Sequence, residues 1–335
     1  MTESQDDSGV DLYGVRIDPA AYADSPAALY VYRQSRDGVA HVGVVCDVAV
    51  QAVADGRVKV HEAVEQLRVD ALVWHHARSD GPPALVMLLH RAGSAYDHAV
   101  EAALASEPIL DFDGPEGLRQ TVWRLEDGAA TTALLDELAS APLYIADGHH
   151  RAAAALEEWR VAGKPADAGL LCLVHPMDGL NLSAFHRRVS GPIDADRLLA
   201  LLADDFELEE VPDPPAPSVG TLGVYVASGW HRAVLRSDRP TGVAGLDATL
   251  LATRVLDRME PATSGRVRTV DAVPDAEPLG QHVARCDVDR GALFLLAPPP
   301  PEALVEVADA GEVMPPKTTY FEPKPAAGIF LRPQA

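Results

Sequence analysis

The chain has 335 residues, 47% of them hydrophobic, and 50 acidic side chains against 28 basic ones give a formal net charge of -22. That length can bury a large core as one domain or two lobes, and the negative field opposes partnership with DNA, RNA or anionic lipid. No apolar run approaches the roughly 18 to 20 residues that span a bilayer. The opening MTESQDDSGVDLYG lacks the basic and apolar regions of a secretory leader, and Cys46, Cys172 and Cys286 are too scattered for a C-x-x-C pair or a disulfide framework. A cytoplasmic protein with buried, reduced thiols is expected.

Strand-like apolar runs alternate with segments of helical period, which predicts an α/β fold, a mixed sheet with flanking helices. Strands are expected at Ala28–Tyr32, His41–Cys46, Leu85–His90, Thr121–Leu125, Leu143–Ala146 and Gly169–Val174. Helices are expected between them at Val60–Val73, Ala95–Ala105, Thr131–Ala139 and Arg151–Ala162. The later half repeats the habit, with helices at Ala195–Leu202, Leu246–Met259 and Pro301–Ala310 and strands at Leu222–Ala227, Ala292–Leu296 and Gly328–Leu331. The stretch VPDPPAPS, Val211–Ser218, continues neither a helix nor a central strand. It therefore marks the expected boundary between a lobe over 26–210 and a second over 219–335, after a flexible N-terminus over 1–25. A single continuous domain is the alternative.

In APLYIADGHHRAAAALEEWR an apolar strand ends at Ala146, Asp147 and Gly148 make a sharp turn, and an alanine-rich helix follows. Such a turn aims the first N–H groups of the helix, and the positive end of its dipole, at one spot, which stabilises an anion there. The dipole contributes about 0.3 to 1 kcal/mol, whereas each charged hydrogen bond contributes about 1.5 to 3 kcal/mol, so Arg151 and His149 or His150 would dominate. The plain alternative is that Asp147 caps the helix beside surface histidines. Two histidines and an arginine at the electropositive end of a helix nevertheless call for a compensating anion. Adjacent helical positions diverge by about 100°, so zinc on His149 and His150 is not expected.

The chain has four lysines, Lys59, Lys164, Lys317 and Lys324, and two of them fall in MPPKTTYFEPKP beside Thr318, Thr319 and Tyr320. Lysine serves as a point-charge phosphate binder and the hydroxyls as donors, while a rigid strap with solvated lysines is the plain reading. In VKVHEAVEQL, Glu62 has the chemistry of a general base that His61 would orient, against the reading of an exposed helical pair. His186 and Arg187, in AFHRRV, are weak signals alone, and the scattered His41, His90, His175, His231 and His282 are read as structural.

Together, HE at 61 and 62, LYIADGHHR at 143–151, HR at 186 and 187, and AGEVMPPKTTYFEPK at 310–324 resemble the domain-of-unknown-function 1015 family over roughly Ala28 to Arg332. The chain departs from that pattern in a shortened N-terminal region and in Ala152, where an aromatic residue often follows GHHR. The GHHR turn is similar to the Gly-x-x-Arg turn of the ParB and sulfiredoxin superfamily, which includes nucleotide-dependent free serine kinases. His149 stands where sulfiredoxins carry their cysteine, which disfavours thiol-based repair, and no basic helix-turn-helix module accompanies the acidic chain.

The resemblance therefore implies an ATP- or ADP-dependent kinase with Mg²⁺, acting on the hydroxyl of a small metabolite, with free L-serine first. In that reading Gly148, His149 and His150 present N–H groups to the phosphates, with Thr318 a further donor. Arg151 pairs with the phosphates, Asp147 helps hold Mg²⁺, and Glu62 takes the hydroxyl proton. Lys317 neutralises the transferring group, and His61, His186 and Arg187 face the substrate, with Arg187 on its carboxylate. A phosphatase or nucleotidase using water, and a non-catalytic nucleotide or metabolite sensor, are the competing expectations.

Overall fold

The computed structural model describes residues 12–13, 16–17, 27–78, 84–114, 117–259 and 269–331. The chain forms two compact units, Met1–Asn181 with Pro323–Ala335, and Leu182–Glu322. This division differs from the expected boundary: VPDPPAPS falls within Leu182–Glu322 and Pro323–Ala335 is grouped with the first unit. Of the expected flexible segment 1–25, Leu12–Tyr13 and Arg16–Ile17 are short strands; the rest lies outside the described residues.

In chain order the first unit contains β1 (Leu12–Tyr13), β2 (Arg16–Ile17), β3 (Tyr30–Arg36), β4 (Val39–Ala49), α1 (Val50–Ala54), β5 (Val58–Lys59), α2 (Gln66–His76), β6 (Val86–His90) and α3 (Ser94–Leu104). It continues with β7 (Leu110–Asp113), β8 (Arg119–Arg124), α4 (Ala129–Ser140), β9 (Leu143–Asp147), α5 (His149–Val161) and β10 (Gly169–Pro176). Nine strands among the described residues form one sheet, ordered β5-β9-β6-β10-β4-β3-β8-β7 with β1 on β4. The β5–β9 and β6–β10 pairs are parallel and the remaining pairs antiparallel, so the sheet is mixed, as the alternation of elements predicts. β3 and β4 join through Asp37 and Gly38 at φ 52 and 83, the double positive-φ turn whose twist matches paired strands.

Period-two alternation gives this sheet two apolar faces. Val31, Val44, Cys46, Cys172 and Val174 point to one face, packed with Tyr96, Leu134, Leu138, Ala152 and Trp159 from the helices. Tyr30, Tyr32, Val45, Leu171 and Leu173 point to the other, where Ile329 and Phe330 cover them. All three cysteines are buried and free. The expected helix over Val60–Val73 begins only at Gln66, because the residues before it are held against α5, as described below.

The second unit runs β11 (Asn181–Ser183), β12 (Phe185–Val189), α6 (Ala195–Ala203), β13 (Phe206–Val211), β14 (Thr221–Val226), β15 (Gly229–Leu235), α7 (Asp247–Arg254), β16 (Val270–Pro274), α8 (Leu279–Asp289), β17 (Ala292–Leu295), α9 (Pro301–Asp309) and β18 (Tyr320–Glu322). Its sheet is ordered β13-β15-β14-β17-β12-β16, and VPDPPAPS carries the chain from β13 to β14. Phe185–Val189, FHRRV, is a fully buried strand that its polar composition conceals. Beyond this unit, β19 (Phe330–Leu331) pairs with β2 in the first. No helix among the described residues is long and apolar enough to cross a membrane.

Candidate functional site

The apolar strand β9 ends at Asp147, and a register shift in its pairing with β6, between Met87 and Leu88, lies beside that residue. Such irregularities re-aim side chains at strand ends. Gly148 follows at φ 103 and is the N-cap of α5, with no side chain capping the helix. A Cβ at Gly148 would stand 3.0 Å from Arg151 Nε and 3.1 Å from its Nη2, so the backbone conformation favours glycine and any side chain would also push the guanidinium back by a few tenths of an ångström. The N–H groups of His149, His150 and Arg151 have no carbonyl within the helix to bond, and the helix dipole places its positive end there.

Arg151 folds back over the turn. Its Nη2 donates to Asp147 Oδ2 and its Nη1 to the Leu85 carbonyl, so one guanidinium ties α5 to the ends of β9 and β6. The second carboxylate oxygen of Asp147 accepts from Lys324 Nζ at 2.5 Å. Two cations thus flank one carboxylate, and these side chains are 21%, 38% and 30% exposed for Arg151, Lys324 and Asp147. The turn carries net positive charge in a strongly acidic protein. Lys324 reaches it because Gln34 Nε2 donates to the Lys324 carbonyl at 3.0 Å and the Ala326 N–H donates to Tyr32 Oη at 3.2 Å.

His149 is buried and His150 is half-exposed. His149 Nε2 accepts the His61 N–H at 3.3 Å, and the rings meet edge to face with centroids 4.4 Å apart. His150 Nε2 accepts the Glu65 N–H at 3.0 Å, the residue that caps α2. Both Nε2 atoms act as acceptors, which places any single ring proton on Nδ1. Burial lowers the His61 pKa to about 4, against a backbone hydrogen bond to Ile145 that raises it. Burial, then the charges of His61, His150 and Arg151, hold His149 well below its ordinary value. His61 and His149 are therefore neutral near pH 7. The loop between β5 and α2, with Glu62 half-buried in it, is stitched to the first turn of α5 at two points.

The other residues that the sequence singles out belong to the second unit. Lys317 is exposed, with φ 60 and its Nζ 5.3 Å from the Phe185 ring centroid, and Thr318 Oγ1 donates to the Pro315 carbonyl at 2.6 Å. Arg187 is buried and donates to the Phe185 and Lys317 carbonyls at 2.9 Å each, which makes it a brace for the Pro316–Lys317 backbone. The buried His186 accepts the Leu296 N–H on Nδ1 at 3.2 Å and pairs through Nε2 with Asp275 at 2.9 Å. The residue that sequence reading passes over is Lys324. It stands in the same EPK-ending string as Lys317, and lysine scarcity marks both equally; the neighbouring threonines draw attention to Lys317.

A phosphate group suits the turn by the helix start that no side chain caps, by the two cations on Asp147 and by the absence of a Cβ at Gly148. Among the described residues no group of three or more His, Cys, Asp or Glu could hold a metal ion. Magnesium keeps several waters and takes one or two carboxylates beside substrate phosphates; both oxygens of Asp147 are paired, with Arg151 and Lys324, so this carboxylate would hold the ion only by exchanging one of those cations for it.

No curated protein sequence matches the chain. Among solved structures, a free serine kinase in complex with AMP is 15% identical, over 87% of this chain and 91% of that one, with a TM-score of 0.44. A conserved hypothetical protein from Pyrococcus furiosus is 14% identical over 87% and 95%, TM-score 0.42. SbnI with a C-terminal truncation, from Staphylococcus aureus, is 13% identical over 83% and 82%, TM-score 0.44. The sequence profile described as "Protein of unknown function (DUF1015)" matches residues 21–259, well over half of the chain, which therefore belongs to the DUF1015 family.

Proposed function

We propose that the chain is a phosphotransferase that uses ATP or ADP to phosphorylate the hydroxyl of a small metabolite. Free L-serine is the acceptor to test first, because the GHHR turn resembles that of the superfamily containing free serine kinases. The observation that carries the reading is the double stitch between the Glu62 loop and α5, His61 N–H to His149 and Glu65 N–H to His150. It holds a candidate general base next to a candidate phosphate turn.

In this mechanism the N–H groups at Gly148, His149 and His150 receive phosphate oxygens, and Arg151 and Lys324 offset charge that develops on the transferring group. Glu62 accepts the hydroxyl proton as the substrate oxygen bonds to phosphorus and the bond to the leaving nucleotide breaks. Magnesium, when bound, supplies neutralisation across the phosphates. Neutral, buried His149 and His61 fix the spacing between base and turn, since neither can titrate near pH 7. The experiment is Glu62→Gln: nucleotide affinity stays at the wild-type value while product formation falls by about 10² to 10⁴. Full activity in that variant removes Glu62 from the reaction.

The pairing of Arg151 with Asp147 and the Leu85 carbonyl favours a second reading, in which phosphate engages only the backbone and Lys324 and the bound nucleotide is not turned over. In that case wild type and Glu62→Gln bind alike and neither makes product.

A further inference from the structure

We propose that Tyr32 and Gln34 are positioning residues for the anion turn: acting through the C-terminal strap over 323–331, they set the place at which Lys324 presents its ammonium. The inference rests on the reading of the Asp147–Arg151 turn as a phosphate site, and adds to it the buried side chains of β3 that complete its charge.

A bulge brings Asp147 to the strap. Period two along β9 would put Asp147 with Leu143 and Ile145, against the helices. Ile145 stands opposite Leu88, however, and Asp147 opposite Met87, so Ala146 is an extra residue in the pairing. Directly opposed residues share a face of the sheet. Asp147 is thereby turned to the side of Leu85, Tyr30 and Tyr32, which Ile329 and Phe330 of the strap cover.

On that side buried polar groups hold the strap. Tyr32 and Gln34 alternate along β3 and are 0% and 1% exposed. Gln34 Nε2 donates to the Lys324 carbonyl at 3.0 Å, while its buried Oε1 has no donor among the described residues. Leaving that acceptor unmet costs stability, so packing alone would favour an apolar side chain at this position. Tyr32 acts with Gln120, which is buried directly opposite Gln34 on β8. Gln120 Nε2 donates to the Leu118 carbonyl at 2.7 Å, which turns its Oε1 to the Tyr32 hydroxyl as an acceptor. The hydroxyl proton goes there, and the Tyr32 oxygen accepts the Ala326 N–H at 3.2 Å. Burial raises the Tyr32 pKa to about 12 against that backbone hydrogen bond, so the proton stays on the ring oxygen. Lys324 and Ala326 are thus fixed on either side of Pro325, whose ring locks its own φ, and the Lys324 side chain extends to Asp147 Oδ1.

The test joins calorimetry to NMR on the full chain. Tyr32→Phe keeps the ring against Phe330 and removes only the hydroxyl; Gln34→Met keeps the length and removes the amide, and decides the matter should Tyr32→Phe fail to fold. Each is expected to weaken ADP binding by roughly 3- to 30-fold, within the coupling of neighbours in one hydrogen-bond network, and to add nothing in the Lys324→Met background. A purely structural role would lower stability and leave the affinity of the folded protein unchanged. With lysine labelled by carbon-13 at the ε position, the four lysines give four signals. The one missing from Lys324→Met is expected to move in both variants while the other three stay. Should wild type not bind ADP, the phosphate reading fails and the Lys324 signal still decides the positioning. A Lys324 signal unmoved in both variants, or a loss of ADP affinity as large in the Lys324→Met background as in wild type, would overturn the inference.

Discussion

Lys324→Met separates a contribution to folding from a contribution to ligand binding. The ammonium lies 2.5 Å from Asp147 Oδ1, but the two side chains are 38% and 30% exposed, and pairs so open to water contribute about 0.2 to 1 kcal/mol. Asp147 keeps Arg151 in the variant, so the folded state is expected to lose no more than about 1 kcal/mol. The ligand loses more. A phosphate at the turn would forfeit one charged hydrogen bond, about 1.5 to 3 kcal/mol, which raises the nucleotide Kd by roughly 10- to 150-fold. Urea denaturation reads the first quantity and calorimetric titration with ATP and ADP the second. Lys317→Met, on an exposed loop of the second unit, is the matched control and should change neither by more than about 0.5 kcal/mol. Normal nucleotide affinity in Lys324→Met with a large loss in Lys317→Met would refute the assignment of the basic group at the turn.

Gly148→Ala places a Cβ at φ 103 against the Arg151 guanidinium, and should cost about 1 to 3 kcal/mol in denaturant unfolding together with nucleotide binding; a neutral substitution would show that the turn tolerates the side chain. Stability should also depend on mild acid. His61 has a folded pKa of about 4, below the ordinary 6.5, so its contribution is complete above pH 6.5 and declines as pH falls toward 4. The full shift corresponds to about 3 kcal/mol. His149 acts in the same direction, as does His175, which burial also lowers to about 4. Urea midpoints measured from pH 7 to pH 5 should fall; a flat profile contradicts the buried neutral pair. Arg187→Met removes the brace on the Pro316–Lys317 backbone and should cost about 2 to 4 kcal/mol, read as faster hydrogen exchange at residues 317–319.

The turn itself was legible because every local signal agrees there: an apolar strand, Asp-Gly, then alanines of high helix propensity. Where local and tertiary signals diverge, the sequence misleads. Val60 to Glu65 read as helix by their apolar spacing, yet the His61 and Glu65 N–H groups go to His149 and His150 on α5, so the helix starts later. The prolines of VPDPPAPS connect β13 to β14, while the division at Asn181 and Leu182 has no compositional signature. FHRRV looks too polar for a central strand, but Arg187 donates to the Phe185 and Lys317 carbonyls and Arg188 pairs with Asp289. The approach of Lys324 to Asp147 needs the return of the C-terminal segment to the first sheet, a long-range contact that no local pattern encodes.

The central claim, phosphoryl transfer at the Asp147–Arg151 turn, meets its most direct test in phosphorus-31 NMR of the protein with Mg²⁺, ATP or ADP, and serine, threonine or homoserine. A new phosphomonoester signal is expected that requires one of these amino acids, disappears in Glu62→Gln and is lost in Arg151→Ala. Inorganic phosphate as the sole product, or intact nucleotide whose signals broaden with wild type and not with Arg151→Ala, would contradict it.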